Sequence, residues 1–156
     1  MNKIQNIVTT ISIASLYITS MPAIANPSSH RIGFVKIAKS ELNQAGTCGY
    51  RLVGSGKKDS FVLVTGVSDK PLMNIDGENI SLKLVSRKEI RRNNQSIGST
   101  ERYESNTFKI TTDFRDKTTS QDRKGFTTRE RGSIVVTSND GWRKKIEVEC
   151  AYDSGG

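Results

Sequence analysis

The fold is decided by the run Gly132-Ser-Ile-Val-Val-Thr-Ser-Asn-Asp-Gly-Trp-Arg-Lys-Lys-Ile-Glu-Val-Glu-Cys-Ala-Tyr152. Two β-branched segments flank Asn139-Asp140-Gly141, and an Asp-Gly pair supplies the positive φ that a tight hairpin turn requires. After the turn, every second residue shares a side, and apolar side chains dominate one of the two sides. That side holds Trp142, Ile146, Val148, Cys150 and Tyr152. The run therefore predicts a β-hairpin with one face in a core and the other in water.

Working outward, a second Asp-Gly pair, Asp76-Gly77, separates Leu72–Ile75 from Ile80–Val85 and predicts a second hairpin. The segment from Ser60 to Val67 is apolar on both faces, which is typical of a central strand. Eight or so short segments of this kind follow one another, and no long amphipathic helix is present. The chain is thus predicted to be all-β, as a small antiparallel β-sandwich or barrel.

The remaining segments carry weaker signals. Ile32–Ala38 is the first plausible strand, and Ser40–Gly46 is interpreted as a short helical turn or a loop. The stretch from Arg87 to Gln95 is charged and then amide-rich, which favours a long exposed hairpin tip or loop. The polar stretch from Arg115 to Gly125 is interpreted in the same way, as a loop between strands.

The N-terminus has the three parts of a secretory signal peptide. One charge, Lys3, precedes an uncharged and mainly apolar run from Ile7 to Ser20, and Ala23-Ile24-Ala25 is a small-x-small cleavage pattern. This predicts a signal peptide over 1–25, a flexible leader over 26–31, a single β domain over 32–152 and a polar tail over 153–156. The mature protein is expected to be exported, to the periplasm or the extracellular space.

Cleavage after Ala25 removes only Lys3, so the Lys and Arg count falls from 24 to 23 against 16 Asp and Glu, a net charge of +7. The two cysteines, Cys48 and Cys150, lie early and late in the domain. In an exported chain such a pair predicts a disulfide before it predicts a metal or catalytic site. The bond places the strand that begins at Cys48 beside or opposite the strand that contains Cys150.

Catalytic chemistry finds little support. The single histidine, His30, lies in the leader without expected partners, so a Ser-His-Asp hydrolase is not expected. Two sulfurs do not complete a zinc site, no phosphate-binding glycine loop is evident, and neither a metal nor a cofactor is expected. A carbohydrate-active hydrolase would require a pair of carboxylates. The candidates are Asp113, Asp116, Asp122 and Glu130, each within two positions of an Arg or Lys.

Basic residues give the strongest functional signal. From Ser86 to Arg131 there are 12 Lys or Arg against seven Asp or Glu, mainly in the predicted loops. If these loops meet at one end of the domain, they form a positive surface that attracts an anionic polysaccharide or membrane surface. Nucleic acid is not expected, because the chain is exported and aromatic residues are few there. The predicted binding residues are Arg87, Lys88, Arg91, Arg92, Arg123, Lys124, Arg129 and Arg131.

The exported start, the cysteine strands and the hairpin from Met73 to Leu84 together resemble small secreted bacterial β proteins, a resemblance that spans Ile32 to Tyr152 and implies no activity. The chain is also similar to periplasmic lysozyme inhibitors in being a small disulfide-bearing β domain, but it lacks their Ser-Gly-containing inhibitory segment. The leading hypothesis is a non-enzymatic exported binding protein. An inhibitor or protein-interaction module is the alternative, and a carbohydrate-active hydrolase is the third reading.

Overall fold

The computed structural model describes residues 28–38, 48–55, 60–66, 70–122 and 125–154. Of these, residues 116, 117, 119–122, 125–128 and 151–154 are described by their backbone alone. Outside the described residues lie the predicted signal peptide over 1–25, the first residues of the predicted leader, the segment from Ser40 to Gly46, and Arg123 with Lys124. No described helix is long and apolar enough to cross a membrane.

Every regular element in the described ranges is a β-strand, and every strand pair is antiparallel, which confirms the all-β prediction. One curled sheet contains all nine strands in the order β4-β3-β2-β1-β9-β8-β7-β6-β5, a half-barrel whose two edges are β4 and β5. The strands are β1 Cys48–Leu52, β2 Leu63–Thr65, β3 Leu72–Ile75, β4 Glu78–Ser81, β5 Lys83–Arg92, β6 Gln95–Glu104, β7 Phe108–Asp122, β8 Gly125–Ser138 and β9 Arg143–Ser154.

Strand β1 joins the two parts of this sheet. Its residues Cys48 to Tyr50 pair with β2, whereas Arg51 and Leu52 pair with Glu149 and Val148 of β9. Four short strands, β1 to β4, therefore continue a sheet of five longer ones through a single short pairing. The two edge strands follow one another in the chain with only Leu82 between them, so the chain crosses the open side of the half-barrel at that residue.

Both Asp-Gly hairpins form as predicted. Asp76 and Gly77 have φ of 55° and 86° between β3 and β4, the positive values that a two-residue hairpin turn requires. Gly141 has φ of 93° between β8 and β9. A third hairpin joins β5 to β6 through Asn93 and Asn94, which also adopt positive φ, as asparagine does more readily than most residues.

The buried side chains come from alternate positions of strands in both parts of the sheet, as the two-residue period predicts. Tyr50 of β1 stacks on Phe114 of β7 with ring centroids 4.5 Å apart, which joins the short strands to the long ones. The face that carries these residues is called the inner face below, and the opposite face the outer face. The inner-face core includes Leu63, Met73, Ile75, Tyr103, Ile110, Phe114, Ile134, Val136 and Val148.

A β-bulge interrupts β7 between Phe114 and Asp116, and glycines on the two neighbouring strands pack against it. A Cβ atom on Gly98 of β6 would lie 1.9 Å from the carbonyl oxygen of Phe114, and one on Gly132 of β8 would lie 2.2 Å from that of Asp113. Only glycine fits so close an approach of backbones. These two positions therefore let the sheet bend at the bulge.

The disulfide is confirmed, because Cys48 and Cys150 are bonded with their Cα atoms 6.4 Å apart. The two strands that it links, β1 and β9, are neighbours in the sheet, as the pairing of the cysteines implied. The bond encloses a sequence separation of 102 residues and sits next to the single pairing that joins the two parts of the sheet.

Four predicted boundaries are wrong. The stretch from Arg87 to Gln95 is the exposed end of a hairpin, one of its two predicted forms, but Arg87 to Arg92 are strand residues of β5 rather than loop residues. Residues 115–122 continue β7. Ile32–Ala38 makes one isolated bridge, between Ile32 and Ile75, instead of a strand. Asp153 and Ser154 extend β9 and are not a tail. Strand β5 was missed because nine of its ten residues are exposed, so no apolar pattern marks it.

Candidate functional site

The eight basic residues that the sequence singled out do not form one loop cluster. Arg87, Lys88, Arg91 and Arg92 lie on the edge strand β5, and Arg129 and Arg131 lie on β8, two strands further into the sheet from β6. The remaining two, Arg123 and Lys124, lie outside the described residues. The expectation of basic loops is therefore wrong for the six described residues, which are strand residues.

These six residues are also divided between the two faces. Arg87 is opposite Glu101, which is buried on the inner face, whereas Arg131 is opposite Glu149 on the outer face. Arg131 Nη2 lies 3.3 Å from Glu149 Oε2, and Arg51 Nη2 lies 3.0 Å from Glu149 Oε1. Burial raises the pKa of Glu149, but hydrogen bonds from Arg51 and Arg131 outweigh it and lower that pKa below its usual value. Arg131 is thus engaged within the fold.

A different set of cations comes together on the outer face. Arg102 of β6 and Lys145 of β9 lie on one cross-strand row through Thr111 and Val135. Lys109 of β7 and Arg143 of β9 lie on the next row through Thr137, and all four cationic side chains are exposed. This outer basic patch is defined by Arg102, Lys109, Arg143 and Lys145.

Sheet geometry sets the size of the outer basic patch. Neighbouring strands lie about 4.8 Å apart, so β6 and β9 are separated by about 14 Å, and same-face positions along one strand are about 6.8 Å apart. The four cations therefore occupy a shallow area of roughly 14 by 7 Å. The side chains between them are threonines and Val135, which are half-buried and keep the surface flat.

Three of the four cationic side chains have no competing partner among the described residues. The side chains of Arg102, Lys109 and Arg143 make no ion pair or hydrogen bond with any residue in the part of the chain that the structure describes. Glu104 is opposite Lys109 in the sheet, yet no ion pair joins them. Lys145 Nζ is 3.1 Å from Glu147 Oε1, but both side chains are largely exposed, and such pairs contribute little. The patch is therefore available to an external anion.

An acidic row borders the patch on one side. Asp113 of β7 and Glu147 of β9 lie on the same outer-face row, through Ser133. Asp113 is held by Arg115, whose Nη2 atom donates to its Oδ2 at 3.0 Å. The outer face thus changes from basic to acidic within one step along the strands, which confines an anionic ligand to the basic rows.

None of the four patch residues is among the predicted binding residues. Arg102 and Lys109 lie within the basic stretch from Ser86 to Arg131, and Arg143 and Lys145 fall on the polar face of the returning strand by simple alternation. The signal that locates the patch is the register of β6 to β9, which places residues 102 and 145 on one row across 43 positions of sequence.

The carboxylates proposed for a hydrolase are not paired. Asp113 lies on the outer face, whereas Glu130 shares its row with Cys150 on the inner face and accepts a hydrogen bond from the Tyr50 hydroxyl at 3.5 Å. The side chains of Asp116 and Asp122 lie outside the described residues. Among the described candidates, no two carboxylates face each other across a cleft as an acid and base would.

The inner face instead buries the carboxylate of an ion pair. The side chain of Glu101 is only 4% exposed, and Arg87 Nε donates to its Oε1 at 2.5 Å. The Tyr103 hydroxyl donates to Glu101 Oε2. Burial, followed by the hydrogen bond and negative charge of Glu101, raises the pKa of Tyr103 well above its usual value, so this hydroxyl stays protonated. Burial lowers the pKa of Arg87, but the charge of Glu101 outweighs it and raises that pKa.

His30 is not an isolated residue of a leader, which corrects the sequence interpretation. Its side chain is 17% exposed, and its Nδ1 lies 2.6 Å from Asp76 Oδ2 and its Nε2 lies 3.8 Å from Asp140 Oδ2. The ring contacts Phe108 and Trp142 edge-on at 5.0 and 5.3 Å. His30 therefore joins the two Asp-Gly hairpins. Within the described residues, no group of His, Cys, Asp or Glu is suited to hold a metal ion.

The lowered pKa values of the two turn aspartates, Asp76 and Asp140, predict that the fold loses stability in acid. The hydrogen bond with His30 lowers the pKa of Asp76, and hydrogen bonds from Ser138 and then Ser28 lower that of Asp140. A carboxyl group whose pKa is lower in the folded state stabilises the fold at pH values above its ordinary pKa of 3.8, and that contribution is lost as pH falls further. We expect the melting temperature of the wild type to fall steeply below about pH 4.

The matched variant is Asp76→Asn/Asp140→Asn, measured by thermal unfolding between neutral pH and the acid limb. It should melt below the wild type at neutral pH, and the difference should shrink as pH falls through the region below 3.8. A difference that stays constant over the acid limb would contradict the role assigned to these carboxylates.

Comparison of the chain with protein-family models, with curated proteins and with solved structures finds no match. Function is therefore inferred from the charge and geometry of the described residues.

Proposed function

We propose that the chain is a non-catalytic exported protein that binds an anionic polysaccharide through its outer basic patch. The observation that supports this proposal is the cross-strand arrangement of Arg102, Lys109 and Arg143, which are exposed, lie on adjacent rows and have no partner among the described residues. A repeating polymer of uronate or sulfate groups offers anions to several of these cations at once.

A polysaccharide fits the patch better than a membrane surface does. The large apolar side chains that are exposed in the described residues are Phe34, Val53, Leu84 and Val85, and none belongs to the patch. Without an apolar side chain to enter the lipid, attachment to a bilayer would rest on charge alone. Binding by charge and by threonine hydroxyls along a flat sheet suits a hydrated polymer.

The test compares two neighbouring residues that point to opposite faces. Arg143 lies in the patch, while Lys144 is exposed but opposite Val136, on the other face of β9. Reversing either charge, with Arg143→Glu or Lys144→Glu, changes the net charge of the protein by the same amount. Because a cation at an anionic surface contributes about 1 kcal/mol, Arg143→Glu should weaken binding about 10- to 30-fold. Lys144→Glu should weaken it by less than about 3-fold, through net charge alone.

Affinity for a soluble polyuronate and for a sulfated polysaccharide would be measured by calorimetry on protein with the signal peptide removed. Binding should weaken as salt is raised, because exposed charges are screened. Equal losses in the two variants would mean that net charge alone, and not the patch, attracts the polymer. Stronger binding to anionic lipid vesicles than to either polymer would favour the membrane surface instead.

A further inference from the structure

The edge strand β5 is the most exposed long element of the described fold. It runs for ten residues, Lys83–Arg92, of which nine are exposed and only Ile90 is intermediate. It pairs with β6 on one side, and none of the described strands pairs with the other side. An edge of this kind presents unpaired backbone N–H and C=O groups that can accept a further strand.

The charge on this edge is strongly one-sided. Five residues of β5 are cationic and only Glu89 is acidic, so ten residues carry a net charge of +4. Lys88 and Arg92 make no ion pair within the described residues, while Arg91 Nε lies 2.7 Å from Glu89 Oε2. The cations of β5 are Lys83, Arg87, Lys88, Arg91 and Arg92.

Apolar surface lies at the start of the same strand. Leu84 and Val85 are 44% and 52% exposed, although both are large apolar residues. Beside them is a groove of about 820 Å³ between the end of β4, the start of β5 and the turn that joins β6 to β7. Ile80, Leu82 and Leu84 line it, together with Glu104 and the polar residues of that turn. A partly apolar groove next to an open edge is a feature of sheets that bind extended peptides.

We propose that β5 is a docking edge for an acidic, extended segment of another protein, which adds a tenth strand to the sheet and places an apolar side chain in the groove at Leu84. This inference goes beyond polysaccharide binding, which uses the outer face of β6 to β9. Backbone hydrogen bonds to β5 supply affinity, and acidic side chains on the added strand meet the cations of the edge.

The net positive charge of β5 determines which kind of strand can pair with it. A second copy of the chain, paired edge to edge, would place +4 against +4, which opposes association. An acidic strand reverses the sign of that interaction. The β-bulges after Leu84 and after Ile90 leave Ser86–Ile90 as the regular stretch, so we expect the added strand to pair over these five residues.

The experiment uses a labelled ten-residue peptide in which valine alternates with aspartate or glutamate. Its binding to the processed protein is followed by fluorescence anisotropy, and the site is located by amide hydrogen exchange. A second peptide has prolines in place of its two central valines, which keeps the charge and removes backbone donors. The proline peptide should bind at least about 10-fold more weakly, and the first peptide should slow exchange at amides of Ser86 to Ile90.

Two protein variants separate this edge from the outer basic patch. Lys88→Glu/Arg92→Glu should weaken the peptide at least about 10-fold and leave polysaccharide affinity within about 3-fold of the wild type. Arg143→Glu should weaken polysaccharide binding and leave peptide affinity within about 3-fold of the wild type. Equal binding of the two peptides, or protection located on β6 to β9, would overturn the proposal. So would a dimer, seen by sedimentation, whose formation protects β5 in the absence of peptide.

Discussion

Replacing both cysteines, in Cys48→Ala/Cys150→Ala, is expected to lower the free energy of unfolding by about 4 to 5 kcal/mol. The bond closes a loop of 102 residues, and in the chain-entropy model a loop of about 100 residues loses about 4.7 kcal/mol of unfolded-state freedom. Since a domain of this size is stable by about 5 to 15 kcal/mol, the variant should be close to unfolding at growth temperature.

The location of the bond adds to its effect. The short strands β1 to β4 are joined to the long ones by the pairing of Arg51 and Leu52 with β9, and by core contacts such as Tyr50 on Phe114. The disulfide ties β1 to β9 beside that pairing. Without it, we expect amide exchange to accelerate in β1 to β4 more than in β6 to β9, because the smaller part can separate first.

Urea denaturation of the wild type, the double variant and the reduced wild type measures this effect. The reduced wild type, heavier than the oxidised protein by about two mass units, should unfold near the urea concentration that unfolds the variant, since both lack the same bond. A loss below about 1 kcal/mol, or free thiols in protein recovered from its own compartment, would contradict the structural role assigned to the bond.

Local sequence signals specified much of this fold. The Asp-Gly turns at Asp76 and Asp140, and the alternation from Trp142 to Cys150, depend on neighbours in the chain, and the structure agrees with each. The disulfide followed from there being two cysteines in a chain that is predicted to be exported. The sequence did not predict whether the sheet closes into a barrel. That depends on whether its two edge strands, β4 and β5, meet, and no local sequence signal records this.

The wrong strand boundaries of β5 and β7 lie in segments where no regular apolar pattern marks the strand. Strand β5 is exposed along nearly all its length, so its residues show no alternation and resemble a loop. The bulge after Phe114 shifts the two-residue period of β7, which hides the continuation of the strand. In such segments the residue types do not show that the backbone is paired in a sheet.

The sequence predicted the type of ligand for the candidate site, an anion, but not the residues that form the site. Net charge indicated anion binding, yet charges that are dense in sequence, such as Arg87 and Lys88, turned out to lie on opposite faces of one strand. Arg102 and Arg143 are distant in sequence and come together only through the register of four strands. His30 was misjudged for the same reason, since its partner Asp76 is 46 residues away.

Removing the cation of the ion pair with Glu101, in Arg87→Ala, is expected to lower the free energy of unfolding by about 2 to 3 kcal/mol. Glu101 would keep its hydrogen bond from Tyr103 but would lose the charge-assisted bond from Arg87 while remaining buried. Breaking a fully buried pair costs about 3 to 5 kcal/mol, and the side chain of Arg87 is 67% exposed, so the expected loss is smaller.

Two further variants identify the cause of that loss. Arg91→Ala removes an arginine from the same strand whose partner Glu89 is exposed, so it should cost less than about 1 kcal/mol. Arg87→Met/Glu101→Gln removes both charges and keeps an acceptor for the Tyr103 hydroxyl, so it should recover most of the loss because no unpaired charge then stays buried. The free energies of unfolding of the three variants would be measured by urea denaturation at neutral pH. If Arg87→Ala costs no more than Arg91→Ala, or if the double variant is no more stable than Arg87→Ala, the buried carboxylate is not what makes Arg87 important.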